Sequence, residues 1–453
     1  MEKLERKRNL KSLITLAIPI ILEEILTTLL QYVDTAMVGR LGAAATASVS
    51  LTTSVNWLIG SCFGSVGIAV VAVLSSALGA GDNEKIRRFS SQIVKYILAT
   101  GLLIEILAVS LSPVIPVWMQ ADASIRKQAG TYFCIISLAI VFRSSSMICA
   151  SAMRALKDTR TPMFVNLAAN ALNVVLNYLL IYSAGLGVTG AAIATAVSST
   201  VAGIAMFVLM RRKELLRAPI CGKLDRKLLN ETARISLPAL ATSFTSCMGH
   251  IVFASLVSSM GTTVFAAHAI ALSAETMFYL PGYGLRSATS TLIGISVGED
   301  NRDKYRIVKR QSVILTVVMM TFTGIMLFVF AGPIIKIFTP DAEVIRQGTR
   351  ILKLIAFCEP FFGLMIVSEG IYYGLGQTRI TFIVETIGSW GIRIVATIIC
   401  VHVFHTSLFE VWICMFADDA FRAIALAMPL FSGRDLKYFE SRRSYISDKR
   451  KTV

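Results

Sequence analysis

Residues 14–42 read ITLAIPIILEEILTTLLQYVDTAMVGRLG. The stretch is long and apolar enough to cross a bilayer, because a spanning helix needs about 20 mostly apolar residues. It nevertheless carries Glu23, Glu24 and Asp34. A carboxylate at the bilayer centre costs roughly 2.5–3.5 kcal/mol on insertion scales, so such a residue is a functional candidate by default. The alternative for Asp34 is an interfacial aspartate that caps or snorkels at the helix end.

The composition predicts a polytopic helical membrane protein with the lipid bilayer as its partner. Of 453 residues, 55% are hydrophobic and only 16% are charged, whereas charged residues make up about 25% of soluble domains. The net charge of +16 does not indicate nucleic-acid binding, because the basic residues lie in short runs between apolar segments, as the positive-inside rule describes. The opening MEKLERKRNLK is not followed by a signal-peptide pattern. The eight cysteines are scattered without metal-type spacing, so they are interpreted as packing residues.

Twelve apolar segments are expected to span the membrane. They lie at approximately 13–35, 46–78, 90–112, 126–150, 162–183, 187–210, 236–259, 263–296, 312–335, 350–373, 382–404 and 410–431. Lysine and arginine collect in alternate loops, which predicts that both termini are cytoplasmic.

The chain is also a tandem repeat with an offset of 219 positions. This offset pairs Pro19 with Pro238 and Gly42 with Gly261 without a gap. Each repeat holds six spans, so we expect two lobes related by a pseudo-two-fold axis along the membrane normal that rock between inward and outward faces. The expected parts are a cytoplasmic arm (1–12), an N-lobe (13–210), a cytoplasmic linker (211–235), a C-lobe (236–431) and a basic cytoplasmic tail (432–453).

The repeat shows where the halves differ. Asp34 corresponds to Phe253, and Glu23 corresponds to Thr242. A charge kept on only one half of a symmetric frame predicts that the ion site lies in the N-lobe.

Four asparagines form a stripe on the fifth segment, at positions 166, 170, 173 and 177. This spacing places them within an arc of about 60° on one helix face. Asparagine in a span is costly unless it is paired, so the face looks at protein or water. Either it is an interhelical hydrogen-bond seam, or its carbonyl oxygens serve a cation. With Asp34 and Thr195 of the sixth segment, the stripe predicts an oxygen-lined pocket.

Other intramembrane charges allow weaker interpretations. Glu275 lies near Phe278, Tyr279 and Tyr283, and an acid among aromatic rings is able to hold an organic cation by charge and cation–π contact; the alternative is that the rings are core. Asp418, Asp419 and Arg422 lie in the last segment, where the i,i+4 spacing of Asp418 and Arg422 predicts a structural ion pair.

At these residues the chain resembles the multidrug and toxic compound extrusion (MATE) family. The resemblance covers nearly the whole chain. Its motifs are AIPIIL…VDTAMVGRLG, SALGAGD, MRALKDTRTPM, NYLLIYSAGLGVTGAAIAT, LPALATSF, AAHAIAL…LPGYGL and GLGQTRITF. Together these motifs, in this order, are highly specific.

The resemblance implies a monomeric antiporter without a cofactor, in the inner (plasma) membrane of a bacterium or archaeon. It would export organic cations in exchange for Na⁺ or H⁺. The family's cation-coupling residues fall on Asp34, Asn173, Asn177 and Thr195, which would also be the ligands if the ion is Na⁺. The family pattern has aspartate at the position of Asn177, and another group of members has an acid at that of Ser246, so this chain carries less negative charge. The expected substrate-contacting set is Glu275, Phe278, Tyr279, Tyr283, Asn170, Tyr32, Ser246 and His250.

Three other functions are conceivable. A related flippase for lipid-linked glycans would need clustered basic residues, for which Arg143, Arg286 and Arg393 are available but not clustered in sequence. A membrane-embedded enzyme would need a catalytic constellation that four scattered histidines do not supply. A receptor would leave the repeat and the buried aspartate unexplained.

Overall fold

The structure is a computed structural model that describes residues 2–219 and 224–442. Residues 220–223 of the expected linker, which include Cys221, and residues 443–453 of the expected tail lie outside the described residues. Within these ranges the chain is helical and contains no β-strand.

Fifteen α-helices are assigned in the described ranges. The first eight are α1 (Glu2–Gly39), α2 (Ala43–Gly79), α3 (Asn83–Leu111), α4 (Ile115–Trp118), α5 (Ala123–Ser137), α6 (Ile140–Ala155), α7 (Arg160–Asn177) and α8 (Gly187–Arg212). The other seven are α9 (Arg226–Ser258), α10 (Thr262–Gly298), α11 (Arg302–Phe338), α12 (Ala342–Gly374), α13 (Thr378–Thr386), α14 (Val395–Ile398) and α15 (Leu408–Phe431). A short 3₁₀ turn covers Glu214–Leu216.

Twelve membrane-crossing segments can be counted in the described ranges. Ten helical segments are long and apolar enough to span, and the bent pair α5 and α6 makes an eleventh. The remaining segment is α15, whose 24 residues are interrupted by one buried ionic group. The buried charged residues of α15 are Asp418, Asp419 and Arg422.

The fourth segment differs from the single span that residues 126–150 predict. It is broken between Ser137 and Ile140, and α5 and α6 meet at 48°. A break of this kind leaves the first backbone N–H groups of the new helix without intrahelical partners. Glu105 of α3 supplies one partner, because its Oε2 accepts a hydrogen bond from the Val141 N–H at 3.0 Å. The lone acid of the third segment therefore caps a helix.

Three π-helical segments interrupt the α-helical pattern. They are π1 (Tyr178–Ser183), π2 (Ile387–Ile394) and π3 (Ile399–Val403). The first directly follows α7 and its asparagine stripe, and the other two flank α14. Such segments are frequent at functional sites.

The chain divides into two compact units. The N unit comprises residues 22–234, and the C unit comprises residues 1–21 together with 235–453. The helix α1 is therefore divided between the two units, because its residues up to Ile21 belong to the C unit and its later residues belong to the N unit. In the C unit, Gly284 of α10 lies so close to Ile21 that a Cβ at this glycine would stand 3.1 Å from the Ile21 backbone nitrogen. In addition, the Gln311 side chain donates to the Arg6 carbonyl at 2.8 Å.

Each unit holds its own apolar core. In the N unit, Phe63 and Phe133 are fully buried members of a cluster drawn from α1, α2, α3, α5 and α8. In the C unit, Leu327 and Trp412 belong to the corresponding cluster. Residues 433–442 also contribute to the C unit, because Phe439 is fully buried and Asp435 forms an ion pair with Lys309 at 2.6 Å.

Candidate ion-binding site

A polar seam joins α1 to α7 in the N unit. Along it, three side-chain pairs meet at a constant separation of 143 residues: Asn166 with Glu23, Asn170 with Thr27, and Asn177 with Asp34. The constant separation means that the two helices run in the same direction with matching turns. The asparagine stripe is therefore an interhelical hydrogen-bond seam, and one of its ends reaches Asp34.

The coupling residues expected from sequence come together at that end of the seam. The Asn177 amide donates to the Asp34 carboxylate and also to Asn173 Oδ1 at 3.1 Å. The Asn173 amide in turn donates to Thr195 Oγ1 at 3.3 Å and to Ser198 Oγ at 3.4 Å. A hydrogen-bonded chain thus links α1, α7 and α8, with the aspartate at its end. We call Asp34, Asn173, Asn177, Thr195 and Ser198 the Asp34 cluster.

The Asp34 cluster holds one carboxylate and no cation of its own. Within the described ranges Asp34 forms no ion pair, and its polar partner is the neutral Asn177. Asn177 is fully buried, and its Oδ1 has no hydrogen-bond partner. An unpartnered buried acceptor beside a carboxylate is a favourable place for a bound cation, because desolvated acceptors are costly.

The donor set fits Na⁺ or a proton better than a transition metal. Carboxylate, amide and hydroxyl oxygens are hard ligands, and rotation of the Asn177 amide would exchange its N–H donor for the unpartnered oxygen. Across the described part of the chain, no three His, Cys, Asp or Glu side chains converge in a way that would hold a metal ion. With a single carboxylate, the cluster has room for one added positive charge.

Arg154 lies against the other two acids of the opening stretch, Glu23 and Glu24. Glu23 forms a bidentate interaction with Arg154, with Nη2 at 2.7 and 2.8 Å from its two oxygens. The charge of Glu24 also acts on Arg154. Of the three carboxylates in the first span, Asp34 is therefore the one without a cationic partner.

Tyr132 is a member of the site that sequence reasoning missed. It lies on α5 and is 7% exposed, and its hydroxyl lies near Thr195, Asp34 and Arg143. One signal was available, because the 219-residue offset pairs Tyr132 with Ile351. The hydroxyl is thus present in only one half, as is Asp34.

The C unit holds a buried ionic group of three carboxylates and two arginines. Arg422 pairs with Glu385 at 2.5 Å, with Asp418 at 2.8 Å and with Asp419 at 2.5 Å. Arg393 reaches the same two aspartates at 2.8 and 3.3 Å. The expected i,i+4 pair of Asp418 and Arg422 is confirmed. We call these five residues the Arg422 cluster.

The aromatic residues expected to contact substrate lie on α10. Tyr279 and Tyr283 stack edge to face with ring centroids 5.6 Å apart, and Arg286 lies 4.5 Å over the Tyr283 ring. An internal guanidinium thus occupies one face of this tyrosine. Phe278 packs against the C-unit core, and Glu275 has a buried Oε2 without a hydrogen-bond partner.

The remaining candidates are spread over both units. Tyr32 is 40% exposed, and Asn170 donates to Thr27 at 3.1 Å. In the C unit, His250 is exposed, with Nδ1 3.5 Å from Arg393 Nη1, and Ser246 lies one turn before it on α9. The structure places these four outside the Asp34 cluster.

A helical fold with ten to eleven segments in the described ranges that are long and apolar enough to cross a membrane defines a polytopic membrane protein. The MatE family model matches residues 19–179 and 238–399. These two matches begin 219 positions apart, as the internal repeat requires. The chain belongs to the MatE family.

Similar proteins cover nearly the full length. A probable multidrug resistance protein NorM of Thermotoga maritima is 28% identical over 94% of this chain and 92% of its own. The multidrug resistance protein MdtK of Edwardsiella ictaluri is 26% identical over 84% and 86%. The crystal structure of the Vibrio cholerae MATE transporter VcmN in the bent form superposes with a TM-score of 0.88 at 19% identity, covering 97% and 99%. The predicted twelve-helix, two-lobe fold class is confirmed, and the protein is a transporter and not an enzyme.

Proposed function

We propose that this protein is a secondary active antiporter that exports organic cations in exchange for Na⁺ or H⁺ by alternating access. The observation that carries the proposal is the Asp34 carboxylate, which has no cation of its own and adjoins the unpartnered oxygen of Asn177. The multidrug resistance names of the relatives support efflux of drug-like compounds. Both termini would be cytoplasmic, as the distribution of basic residues indicates, and the chain would act as a monomer.

The coupling role follows from charge balance. When a cation binds at Asp34, it removes the one uncompensated charge of the seam and changes the preferred state of the N unit. One charge that crosses 100 mV supplies about 2.3 kcal/mol, which corresponds to more than a tenfold gradient. Asn173, Asn177 and Thr195 would supply the remaining oxygens and hold the carboxylate in place.

We place the cationic part of the substrate near Glu275 and the rings of Tyr279 and Tyr283. The unpartnered Glu275 oxygen supports this placement, since a buried carboxylate gains from a bound cation. The flippase alternative is weakened by the C-unit arginines, because Arg286 pairs with Glu369 at 2.9 Å and Arg393 pairs with Asp418 and Asp419.

The test is ethidium efflux from proteoliposomes in which Na⁺ and pH gradients are imposed separately. The wild type should respond to one gradient, and Asp34→Asn should abolish that response. The matched control is Asp122→Asn, which removes a carboxylate that caps α5 outside the spans and should leave efflux intact. Transport by Asp34→Asn at the wild-type rate would refute the coupling role. Absence of wild-type efflux under both gradients would refute organic-cation antiport.

A further inference from the structure

Arg143 has no anionic partner among the described residues of the N unit. It lies on α6, and its Nη1 donates to the neutral Asn56 Oδ1 of α2 at 3.3 Å. Within residues 2–219 and 224–442 it forms no ion pair. By contrast, Arg154, Arg286, Arg393 and Arg422 each pair with a carboxylate.

The neighbours of Arg143 do not compensate its charge. Tyr132 of α5 lies close to it but is a neutral phenol. Asp34, which acts on the same tyrosine, is hydrogen-bonded to Asn177 instead. A guanidinium without an anion is expensive inside a membrane protein. Two opposite charges are thus held apart in one unit, with Tyr132 near both.

We propose that Arg143 binds the carboxylate of a zwitterionic substrate. The residue is of intermediate exposure, and one hydrogen bond to Asn56 leaves further N–H donors on the guanidinium. These donors match a carboxylate in the planar, two-bond geometry that arginine favours. This inference rests on the proposed efflux function and narrows its substrate class to compounds with both a cationic and a carboxylate group.

The internal repeat supports a ligand role for this position. The 219-residue offset pairs Arg143 with Phe362 and Asn56 with Glu275. Phe362 packs on the Tyr279 ring with centroids 5.4 Å apart. In the C unit this position is therefore Phe362, an aromatic ring beside the expected cation site. In the N unit the same position is Arg143, a guanidinium.

The experiment uses two dyes that differ by one methyl ester. Rhodamine 110 carries a free carboxylate, and rhodamine 123 is its methyl ester and is purely cationic. Binding of each dye to the purified full-length protein is measured by equilibrium dialysis. We expect Arg143→Gln to weaken rhodamine 110 binding by about tenfold or more, because a charge-assisted hydrogen bond is lost, and to leave rhodamine 123 binding unchanged. Arg143→Lys should restore part of the loss.

A second variant avoids the loss of the arginine. Asn56→Asp places a permanent carboxylate against Arg143, so it should exclude the dye carboxylate and weaken rhodamine 110 selectively while keeping the fold. Arg160→Gln, at the exposed first residue of α7, is the control for a lost positive charge and should change neither dye.

The outcomes separate this inference from the proposed function. Equal effects of Arg143→Gln or Asn56→Asp on both dyes, or no effect on either dye, would overturn the role of Arg143. Selective loss of rhodamine 110 would support it. Export of rhodamine 123 by the wild type in proteoliposomes tests the organic-cation antiport alone, so its failure would leave the binding result for Arg143 standing.

Discussion

The seam between α1 and α7 in the N unit and the packing of α9 with α13 and π2 in the C unit use the same register. Asn177 meets Asp34 across 143 residues, and Arg393 meets His250 across the same separation. The chemistry at the two places differs. The Asp34 cluster holds one carboxylate among neutral side chains, whereas the Arg422 cluster holds three carboxylates that are paired with two arginines.

This difference predicts that the charge of the Asp34 cluster can change at low cost, whereas a change of charge in the Arg422 cluster is expensive. Neutral hydrogen bonds contribute about 1 kcal/mol each, so the Asp34 cluster can accept or release a cation without a large loss of stability. A buried ion pair is different, because removal of one partner strands a charge and costs about 3–5 kcal/mol. We expect the N unit to respond to ions and the Arg422 cluster to resist change.

The most disruptive change should be Arg422→Gln. It removes the cation shared by Glu385, Asp418 and Asp419 and should destabilise the fold by about 3–5 kcal/mol. The thermal midpoint in detergent, followed by tryptophan fluorescence, measures the effect. Asp34→Asn, which leaves no stranded charge, should stay close to the wild-type midpoint. Equal thermal midpoints for Arg422→Gln and Asp34→Asn would contradict the expected difference in stability between the Arg422 cluster and the Asp34 cluster.

Gly388→Ala tests how closely π2 packs on the Arg422 cluster. A Cβ at this position would clash with Asp418 Oδ1 and stand 2.7 Å from Arg422 Cγ, so overpacking should cost about 1–3 kcal/mol. The repeat pairs Gly388 with Ala169 of the N unit. Ala169→Gly is the reciprocal control and should cost about 1 kcal/mol from helix propensity alone. A wild-type midpoint for Gly388→Ala would show that the cluster has room to move.

Asn177→Asp adds a second negative charge to the Asp34 cluster and so tests whether this cluster binds the coupling cation. A second carboxylate beside Asp34 should strengthen cation binding, lowering the half-saturating concentration of the driving ion about tenfold, which equals 1.4 kcal/mol. Efflux measured against Na⁺ concentration and against pH reads the shift. Asn170→Asp adds the same charge two turns away, beside Thr27, and should shift it less. Identical shifts from both variants would argue that only the total charge of the unit matters.

The smallest expected effect lies in the loop between α6 and α7. Partial burial favours a raised pKa of Asp158, but hydrogen bonds from Lys213 and Thr161 outweigh it and hold this pKa below its usual range. The stabilisation is therefore present above about pH 4 and is lost as the pH falls through the lowered pKa. The Lys213 side chain is 46% exposed, so screening limits the contribution to about 1 kcal/mol or less.

Asp158→Asn should accordingly lower the thermal midpoint slightly at pH 7 and by a smaller amount at acid pH. Its counterpart in the repeat is Gln377, which is neutral, so Gln377→Asn is the matched control without pH dependence. A larger loss at acid pH than at neutral pH would contradict the assignment.

The spans and the repeat were predictable because both depend on composition and regular spacing. Apolar length locates the twelve segments, and the constant offset between Pro19 and Pro238 identifies the halves. The asparagine stripe predicted a polar helix face, and resemblance to the MATE family singled out Asn173 and Asn177 within it. The i,i+4 pair of Asp418 and Arg422 was predictable because its geometry is local to one helix.

Contacts between distant segments were not predictable. Nothing near Glu105 shows that it caps a helix 36 residues away, and the bend between α5 and α6 has no proline to mark it. Glu385 and Arg393 join the Arg422 cluster from another helical segment, and Tyr132 reaches the Asp34 cluster from α5. In each case the partner is chosen by packing, which local sequence does not encode.

The segment π1 has a consequence for changes in chain length. A π-helix carries one more residue over its turns than an α-helix on the same path, so residues 178–183 already contain the equivalent of an accommodated insertion. Deletion of one residue there should convert the segment to α-helix and leave the residues after it close to their present positions. Residues up to Asn177 would keep their positions, because the extra residue lies after them. Insertions and deletions in relatives should therefore be tolerated here and not between Asn166 and Asn177, where a single residue would bring the pairs on one side of the change out of register.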